Sequence, residues 1–317
     1  MSGGHKAEAL LAGALRVVVR ALPRRAALLL GARLGDLARL IGIRREVALD
    51  NLTRAFPERT AGECRGILIA HYRDLGMMMC EAVRGAANLR EPPGKVVAHL
   101  RGVEHLEAVR QAGRGAIVLT AHYGDFGLIA AWLGRLNPVD IFGMALQNPA
   151  VEALLVRTCE EAGVRRIVAG PGLRRLVSGL RDRRWVVMLA DQDAGIGGVF
   201  VPFMGRLCST TPAPAEISLR TGAPIVMAFV TRRPDGRNEI DVLPPLALER
   251  PDAPDAVARL TALHTAVLEH WVRRHPHLWF WLHRRWKTPP PPAVQRNGDD
   301  GRPVASPGPA GPVAREA

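Results

Sequence analysis

One stretch decides how this chain folds: Gly115-Ala-Ile-Val-Leu-Thr-Ala-His122-Tyr-Gly-Asp125-Phe-Gly-Leu-Ile-Ala-Ala-Trp132. Residues 116–119 are an apolar, β-branched run of the length of a buried strand. A short turn follows that contains His122 and Asp125, and residues 126–133 then have the apolar pattern of a helix. Open α/β folds bind their ligands at the carboxyl ends of the strands, so the pattern predicts an imidazole at a ligand-binding edge. For a single histidine, a purely structural loop role is the alternative.

Strand and helix patterns alternate on both sides of this stretch. Further strands are predicted at residues 96–100, 140–144, 165–168, 185–190, 199–203, 224–231 and 239–243. Helices are predicted at residues 103–111, 149–162, 173–181, 213–220 and 256–274. This alternation is typical of βαβ units. We therefore predict an α/β fold, a single domain with a mixed, mostly parallel central sheet flanked by helices.

The residues before this domain have a different pattern. Residues 9–22 and 26–43 are apolar but interrupted by charged residues, mostly arginines, and neither stretch offers the roughly 18 uninterrupted apolar residues of a spanning helix. They can form amphipathic helices on an anionic bilayer or a helical hairpin that packs on the core. We expect three parts: a membrane-associating helical segment at 1–90, an α/β core at 91–288, and a disordered tail rich in Pro and Gly at 289–317.

Three local features carry further expectations. Thr60 and Glu63 have the spacing of a capping box that starts a long helix. Within that helix, Met77 to Met79 form an adaptable apolar surface, for which core packing is favoured over a lipid-binding groove. Near the C-terminus, residues 279–282 are expected to form a buried strand inside an aromatic and basic run.

Composition limits the classes of function. The 317 residues carry a net charge of +13, which suggests an anionic partner such as a membrane surface, an acidic substrate or nucleic acid. The four cysteines are scattered, so neither a zinc site nor a disulfide framework is indicated, and a reducing cytoplasmic setting is the simplest fit. The glycine-containing loops match neither a dinucleotide fingerprint nor a phosphate-binding loop.

A second polar segment has the same position relative to a strand as His122. Asp191, Gln192 and Asp193 follow the buried strand at 185–190. Polar groups at the ends of two strands could converge on one site, although an aspartate in this position more often caps a turn.

Several sequence blocks together resemble a known family. They are Arg45 to Pro57, Gly115 to His122, Gln147 to Pro149, Ala190 to Asp193, Val199 to Gly205 with Ser209 to Thr211, Arg220 to Pro224, and Trp279 to Thr288. In order and number these blocks resemble the lipid A biosynthesis acyltransferase family, the lauroyl and myristoyl acyltransferases of bacterial endotoxin. This family belongs to the lysophospholipid acyltransferase superfamily, and the resemblance covers residues 10 to 288.

The resemblance implies an activity. His122 would remove the proton from a hydroxyl as that hydroxyl attacks an acyl thioester, and the donor would be an acyl-carrier protein or coenzyme A thioester. The acceptor would be a phosphorylated or glycosylated lipid, most simply a lipid A precursor, at the cytoplasmic face of the bacterial inner membrane. No metal or redox cofactor is implied. Asp191 and Gln192 would shape or polarise the site, and arginines would contact phosphate, with Arg174, Arg284 and Arg285 as the candidates.

The sequence departs from the family pattern at one position. In the family, a Glu or Asp follows the histidine after four intervening residues, and here that position is Gly127. Asp125 could supply the orienting carboxylate from one turn away, and Glu216 could supply it from elsewhere. A third possibility is a catalytically impaired member that acts as a lipid-binding or scaffold protein. We expect an active enzyme with the pair His122 and Asp125. A nucleic-acid-binding protein is a weaker alternative, because it would require the C-terminal aromatic and basic run to be exposed.

Overall fold

A computed structural model of the chain describes residue 13, residues 16–92 and residues 94–292. Residues 16–21 are helical, and further helices precede the first strand: α1 (Arg24–Leu40), α2 (Arg45–Ala55), α3 (Ala61–Arg84) and α4 (Ala86–Leu89). Six helices alternate with the strands: α5 (Val103–Gln111), α6 (Phe126–Leu133), α7 (Pro149–Glu161), α8 (Leu173–Arg181), α9 (Ala213–Thr221) and α10 (Ala256–Arg274). In the part of the chain covered by the structure, no helix combines the length and apolar character needed to cross a membrane.

The strands form one large sheet and one hairpin. The large sheet contains β1 (Val97–Arg101), β2 (Ala116–Thr120), β3 (Val139–Gly143), β4 (Arg165–Val168), β5 (Trp185–Leu189), β8 (Ile225–Arg232) and β9 (Asn238–Pro245). Their order is β1-β9-β8-β2-β5-β3-β4. Strands β8, β2, β5, β3 and β4 are parallel to one another, and β9 runs antiparallel to β8. The separate hairpin pairs β6 (Val199–Phe203) with β7 (Arg206–Thr210).

Side-chain alternation along the sheet builds a core on each face. Ile117 and Leu119 of β2 pack into a cluster with helices α2, α3, α8, α9 and α10. Ala116 and Val118 face the opposite way and pack with α5 and α6. Because both faces of β2 are covered, all five of its residues are buried. The predicted α/β class, with a mostly parallel mixed sheet between helices, is therefore confirmed.

Two expectations about secondary structure fail. Strand β7, which pairs with β6 through a turn at Met204 and Gly205, was not predicted from the sequence. Residues 279–282 are largely buried, as expected, but they are not a strand. Trp279 makes only an isolated bridge to Tyr123, and the amide of Trp281 donates a hydrogen bond back to the carbonyl of Trp279. The chain therefore turns at this point instead of extending.

Predictions for three features outside the sheet can be compared with the structure: the capping box, the two ends of the chain and the cysteines. The capping box at the start of α3 is present, with Thr60 and Glu63 bonding each other's backbone amides. Residues 293–317, most of the expected tail, lie outside the described residues, as do residues 1–12 of the expected N-terminal segment. All four cysteines are buried and free.

Helices α1 and α3 touch through their backbones. A Cβ added at Gly35 would overlap the carbonyl group of Tyr72, and one added at Gly76 would overlap the carbonyl group of Gly31. Only glycine permits this approach, because any side chain would have to occupy the space of the neighbouring backbone. The three glycines therefore set the distance between α1 and α3.

This contact predicts opposite effects for two Gly→Ala substitutions in the same helix. Gly76→Ala should lower the free energy of unfolding by about 1–3 kcal/mol, because its methyl group meets the backbone of α1. Gly66→Ala should raise it by about 0.4–1 kcal/mol, because Gly66 is exposed in α3 with open space around it. Urea denaturation in detergent would measure both. Equal effects of the two substitutions would contradict the close contact.

Candidate active site

Two polar loops meet at the carboxyl edge of the sheet. Strands β2 and β5 are neighbours and parallel, with Thr120 paired to Leu189 at their ends. His122 follows β2 by two residues and Asp191 follows β5 by two residues, so the two side chains leave the sheet at the same level. The convergence that the sequence suggested is present in the structure.

The His122 loop is held by the C-terminal segment. The amide of Gly124 donates to the carbonyl of Leu278, and the amide of Phe280 donates to the carbonyl of His122. Gly124 has a φ of +51°, and a Cβ there would overlap the carbonyl of Val230. The loop is therefore fixed on both sides, and the imidazole has a defined position.

The carboxylate of Asp191 is the main hydrogen-bond partner of His122. Its Oδ1 lies 2.8 Å from the imidazole Nδ1, and its Oδ2 accepts a bond of 3.0 Å from the backbone amide of His122. The indole Nε1 of Trp279 donates to the same Oδ2 at 2.9 Å. Asp191 is almost fully buried, whereas the His122 side chain keeps 29% of its surface exposed. The arrangement is that of a base oriented by a buried acid.

The two groups shift each other's pKa. Burial of the imidazole disfavours its charged form, but the charge of Asp191 and the hydrogen bond to it prevail, so the pKa of His122 is raised above 6.5. Burial opposes ionisation of Asp191 as well, but the charge of His122 and three hydrogen bonds prevail and hold the pKa of Asp191 below 3.8. Asp191 is thus ionised at neutral pH, and it fixes the imidazole proton on Nδ1. The second ring nitrogen, Nε2, is left with a lone pair.

Gln192 lies next to that lone pair. Its side-chain Nε2 is 3.4 Å from the Nε2 of His122, a long contact in which the amide can only be the donor. Asp193, the third residue of the segment, contacts the C-terminal segment. Its carboxylate accepts a hydrogen bond from the Thr288 hydroxyl at 2.9 Å and so anchors the C-terminal segment.

An apolar cavity of about 210 Å³ opens beside His122. Phe126 and Phe280 form one part of its wall, and Leu75, Met78 and Met79 of α3 form another. This corrects the expectation that the Met77 to Met79 run packs in the core, because two of its three side chains line the cavity. Successive residues of a helix are rotated by about 100° around its axis. Three consecutive methionines therefore cannot all point to the same side of α3, and the run contacts both the cavity and the neighbouring helices.

Asp125 is directed away from the imidazole. Its carboxyl group is fully buried, and burial together with the charge of Glu81 and a hydrogen bond to that carboxyl raises the pKa of Asp125 well above its ordinary value. The guanidinium of Arg232 lies between this pair and Asp74, to which it donates a bond of 3.0 Å. Among the described contacts, none joins Asp125 to the ring of His122. Asp125 therefore belongs to a buried charge cluster at the start of α6.

The remaining site candidates lie apart from the histidine. Glu216 is exposed in the first turn of α9, and no contact with His122 is found among the described residues. Arg174 and Arg284 are exposed as well. Arg285 is buried, with its guanidinium bonded to the carbonyl of Ser209 and the hydroxyl of Thr210. Because those bonds hold the guanidinium in place, we no longer expect Arg285 to bind a phosphate group.

Comparison with known proteins identifies the family. The family model for the bacterial lipid A biosynthesis acyltransferase matches residues 6–288, most of the chain. The chain belongs to this family. It is an O-acyltransferase by that membership, as the resemblance of the sequence blocks predicted.

Curated relatives include several named acyltransferases. The chain is 28% identical over 288 residues to the lipid A biosynthesis lauroyltransferase of Escherichia coli K12, covering 88% of this chain and 90% of the relative. It is 27% identical over 269 residues to the palmitoleoyltransferase of the same organism, covering 82% and 85%. It is also 25% identical over 192 residues to the phosphatidylinositol mannoside acyltransferase of Mycolicibacterium smegmatis, covering 58% and 60%.

The sequence pattern indicated a polar segment at Asp191 but not its hydrogen bond to the His122 ring. The pattern showed only that two polar segments follow two buried strands. Family expectation directed attention to residues near His122, and the carboxylate that contacts the ring lies 69 residues away in sequence. The neighbouring strand positions of the two loops were the signal that could have found it.

Replacing Asp191 by Asn tests the hydrogen-bonded pair. The plateau of kcat/KM should fall by about 10²- to 10⁴-fold, because the imidazole loses its preferred tautomer and the stabilisation of its cation. The pH dependence should change as well. If His122 is the base, the wild-type rate should fall at acid pH as the ring binds a proton; without the carboxylate only burial acts on the ring. The pKa of His122 then decreases, and the acidic limb of the profile moves to lower pH.

Asp125→Asn is the matched control for that substitution. Burial and the charge of Glu81 raise the pKa of Asp125, which favours its neutral form, so an amide replaces it with little electrostatic change. We expect kcat/KM to stay within about threefold of wild type, with the acidic limb unmoved. A large loss of activity in the Asp125 variant, with an active Asp191 variant, would assign the orienting role to Asp125 instead.

Proposed function

We propose that this protein is a membrane-associated acyltransferase that moves a fatty acyl chain from an acyl thioester to a hydroxyl of a lipid acceptor, most simply a lipid A precursor. The observation that carries the proposal is the hydrogen-bonded pair of His122 and Asp191 at the mouth of an apolar cavity. Membership of the family supports the chemistry. The donor is a thioester of acyl-carrier protein or coenzyme A.

His122 acts as the general base in this mechanism. Its Nε2 takes the proton of the acceptor hydroxyl while the hydroxyl oxygen attacks the thioester carbonyl carbon. The ring becomes an imidazolium, which the adjacent carboxylate of Asp191 stabilises. When the tetrahedral intermediate collapses, the carbon–sulfur bond breaks, and the same Nε2 returns its proton to the leaving thiolate. The products are a lipid ester and a free thiol, and His122 is neutral again.

Gln192 stabilises the negative charge that develops on the carbonyl oxygen. Its amide group lies beside the Nε2 of His122 and can donate to an oxygen bound there, once the substrate displaces the 3.4 Å contact. A donor aimed at a developing oxyanion typically contributes about 10²- to 10³-fold in rate. The Asp191 carboxylate accepts hydrogen bonds from His122 and Trp279. It acts as the orienting acid in place of the carboxylate that the family has at the position of Gly127.

The apolar cavity receives an acyl chain of one substrate. Methionine side chains suit this purpose because their flexible, polarisable chains adapt to a chain without fixed shape. Chain-length preference would be set by side chains such as Met78 and Met79, since one methylene in a pocket changes discrimination by about 1–3 kcal/mol.

The exposed surface of α1 has the composition expected of a protein that meets its lipid acceptor at an anionic bilayer. Helix α1 exposes Leu29, Leu37 and Leu40, and Ile41, which follows it directly, is exposed as well; Arg25 and Arg33 of the same helix are also exposed. Apolar side chains beside arginines are the pattern of a helix that lies in the interface of an anionic membrane. Two exposed apolar side chains, Met144 and Ile196, follow β3 and β5 at the same edge as His122. These features support an N-terminal segment at 1–90 that holds the site against the cytoplasmic face of the inner membrane.

Replacing two of the exposed residues of α1 tests this surface. Leu37→Glu combined with Ile41→Glu should weaken binding to vesicles of phosphatidylglycerol and phosphatidylethanolamine by about tenfold or more, because both apolar side chains leave the interface. Leu136→Glu is the control, since Leu136 is similarly exposed but lies between α6 and β3. Vesicle sedimentation would measure both. Equal losses for the two variants would refute a binding role specific to α1.

An acyl-transfer assay with purified protein in detergent tests the reaction itself. Donors would be acyl-carrier-protein and coenzyme A thioesters, and acceptors would be a lipid A precursor, lysophospholipids and a phosphatidylinositol mannoside. We expect transfer to the lipid A precursor and none with His122→Ala, because no base remains. Transfer only to the mannoside would favour the activity named for the mycobacterial relative.

The same assay distinguishes this enzyme from a second candidate, a lipid-binding scaffold without activity. Because Gly127 stands where the family has a carboxylate, an impaired member that binds lipid as a scaffold is the alternative. Folded wild-type protein that binds vesicles but transfers no acyl chain to any acceptor would favour it. Restored transfer on Gly127→Glu would then identify the missing carboxylate as the cause. The substitution is sterically possible, because Gly127 is exposed and a Cβ there would contact only Asp125 Oδ1, at 3.6 Å.

A further inference from the structure

Large apolar side chains are exposed in two groups on the surface of the described chain. One group lies at residues 17–43, in and around α1, and the other lies on loops at the carboxyl edge of the sheet. The second group contains the two most exposed of these side chains, Ile196 at 96% and Met144 at 78%. Apolar residues exposed singly are normal, but a contiguous group of them indicates an interaction surface.

The members of the second group lie on neighbouring loops. Met144 and Leu146 follow β3, and Leu173 begins α8 where the loop after β4 ends. Ile196 lies in the loop after β5. Strands β5, β3 and β4 are adjacent and parallel, so the three loops leave the same edge of the sheet side by side. Because β5 is also the neighbour of β2, the group adjoins the loop that carries His122.

The three loop tips, residues 144–148, 169–173 and 194–198, are together called the loop surface. They contain no charged residue. Ile196 stands between two glycines in a short turn, so no neighbouring side chain of that turn covers it. Arg174 and Arg175 follow the surface directly, and both are exposed. Apolar side chains with arginines at their border are typical of a surface that enters anionic lipid.

A lipid bilayer fits this composition better than a protein partner does. The apolar centre of a protein interface is enriched in aromatic residues, and the loop surface contains none. An acidic carrier protein would require basic side chains at the centre of its contact, and here the arginines lie only at the border. Insertion into the bilayer has to be shallow, because backbone amides and carbonyls of a loop would lose their water in the hydrocarbon.

We propose that the loop surface inserts into an anionic bilayer at the boundary of headgroups and acyl chains, and that it brings the His122 loop to the lipid. Arg174 and Arg175 contact lipid phosphate groups in this arrangement. The inference rests on the proposed function, which supplies the lipid acceptor, and it adds a second membrane contact separate from α1. Two linked contacts reinforce each other, so removal of one weakens binding without abolishing it.

Site-specific fluorescence locates the loop surface relative to the lipid. All four native cysteines are buried, so a thiol-reactive, polarity-sensitive dye labels an introduced cysteine selectively. Ile196→Cys and Met144→Cys place the dye on the loop surface. Leu136→Cys is the matched control, because Leu136 is also exposed but precedes β3, at the opposite edge of the sheet.

Vesicles of phosphatidylglycerol and phosphatidylethanolamine should shift the emission to shorter wavelength at positions 196 and 144 and leave it unchanged at 136. A nitroxide near the headgroup end of the acyl chains should quench the two loop dyes more strongly than one near the chain end, because insertion is shallow.

A charge-introducing variant measures what the contact contributes. Met144→Glu combined with Ile196→Glu should weaken vesicle binding by about tenfold or more, because two apolar side chains leave the interface. The rate of acyl transfer to an acceptor in vesicles, divided by the rate to the same acceptor in detergent, should fall by a similar factor. Leu136→Glu should keep the wild-type values of both. Thermal unfolding of each variant shows that it is folded.

Other results would overturn the inference. Unchanged emission at both loop positions, on vesicles that bind the protein, would mean that the loops face away from the lipid. The same shift on addition of acidic acyl-carrier protein without vesicles would assign the surface to that partner. A shift that follows protein concentration alone would assign it to a second copy of this chain. The proposed function fails separately, if wild type in detergent transfers no acyl chain that His122→Ala abolishes, because the fluorescence does not depend on activity.

Discussion

A buried negative charge controls the arrangement of the site. An ionised carboxylate without partners is very unfavourable away from water, so Asp191 requires several donors at once. Those donors come from separate parts of the chain: the ring and backbone amide of His122 after β2, and the indole of Trp279 near the C-terminus. Satisfying one charge therefore fixes the His122 ring, the sheet edge and the C-terminal segment relative to one another. The hydrogen bonds of Asp193 to Thr288 strengthen the same junction.

Periodicity in the sequence was sufficient for most of the fold. The bounds of α5, α6, α8, α10, β4 and β6 agree with those predicted, because each segment has a clear apolar pattern between breakers. Residues 279–282 failed for a physical reason. Their aromatic side chains are buried by neighbours on several sides, and burial alone does not distinguish a strand from a turn. Strand β7 was missed because its Arg-Leu-Cys-Ser-Thr sequence has little apolar character, and its pairing with β6 decides its conformation.

The candidate site was predictable in its location but less so in its roles. His122 and Asp191 were both identified as residues at strand ends, yet only the strand order shows that β2 and β5 are neighbours. Asp125 and Asp191 are chemically identical, and their environments separate them. Asp125 lies beside Glu81, which raises its pKa, and Asp191 lies beside an imidazole, which lowers its pKa. The contribution of α3 could not be predicted, because the pattern of a helix does not tell whether its apolar face meets the core or an open cavity.

The backbone contact between α1 and α3 has a mechanical consequence. Side chains between two helices can change rotamer and repack when one helix moves relative to the other. At Gly31, Gly35 and Gly76 no side chains separate the two backbones, so we expect α1 and α3 to move together. Helix α3 carries His71, Met78 and Met79 in the wall of the cavity. If α1 rests on the bilayer, a change in lateral pressure or thickness of the membrane is passed directly to the cavity wall. Under the proposed function, the lipid composition around the protein would then affect the cavity in which we expect an acyl chain to bind.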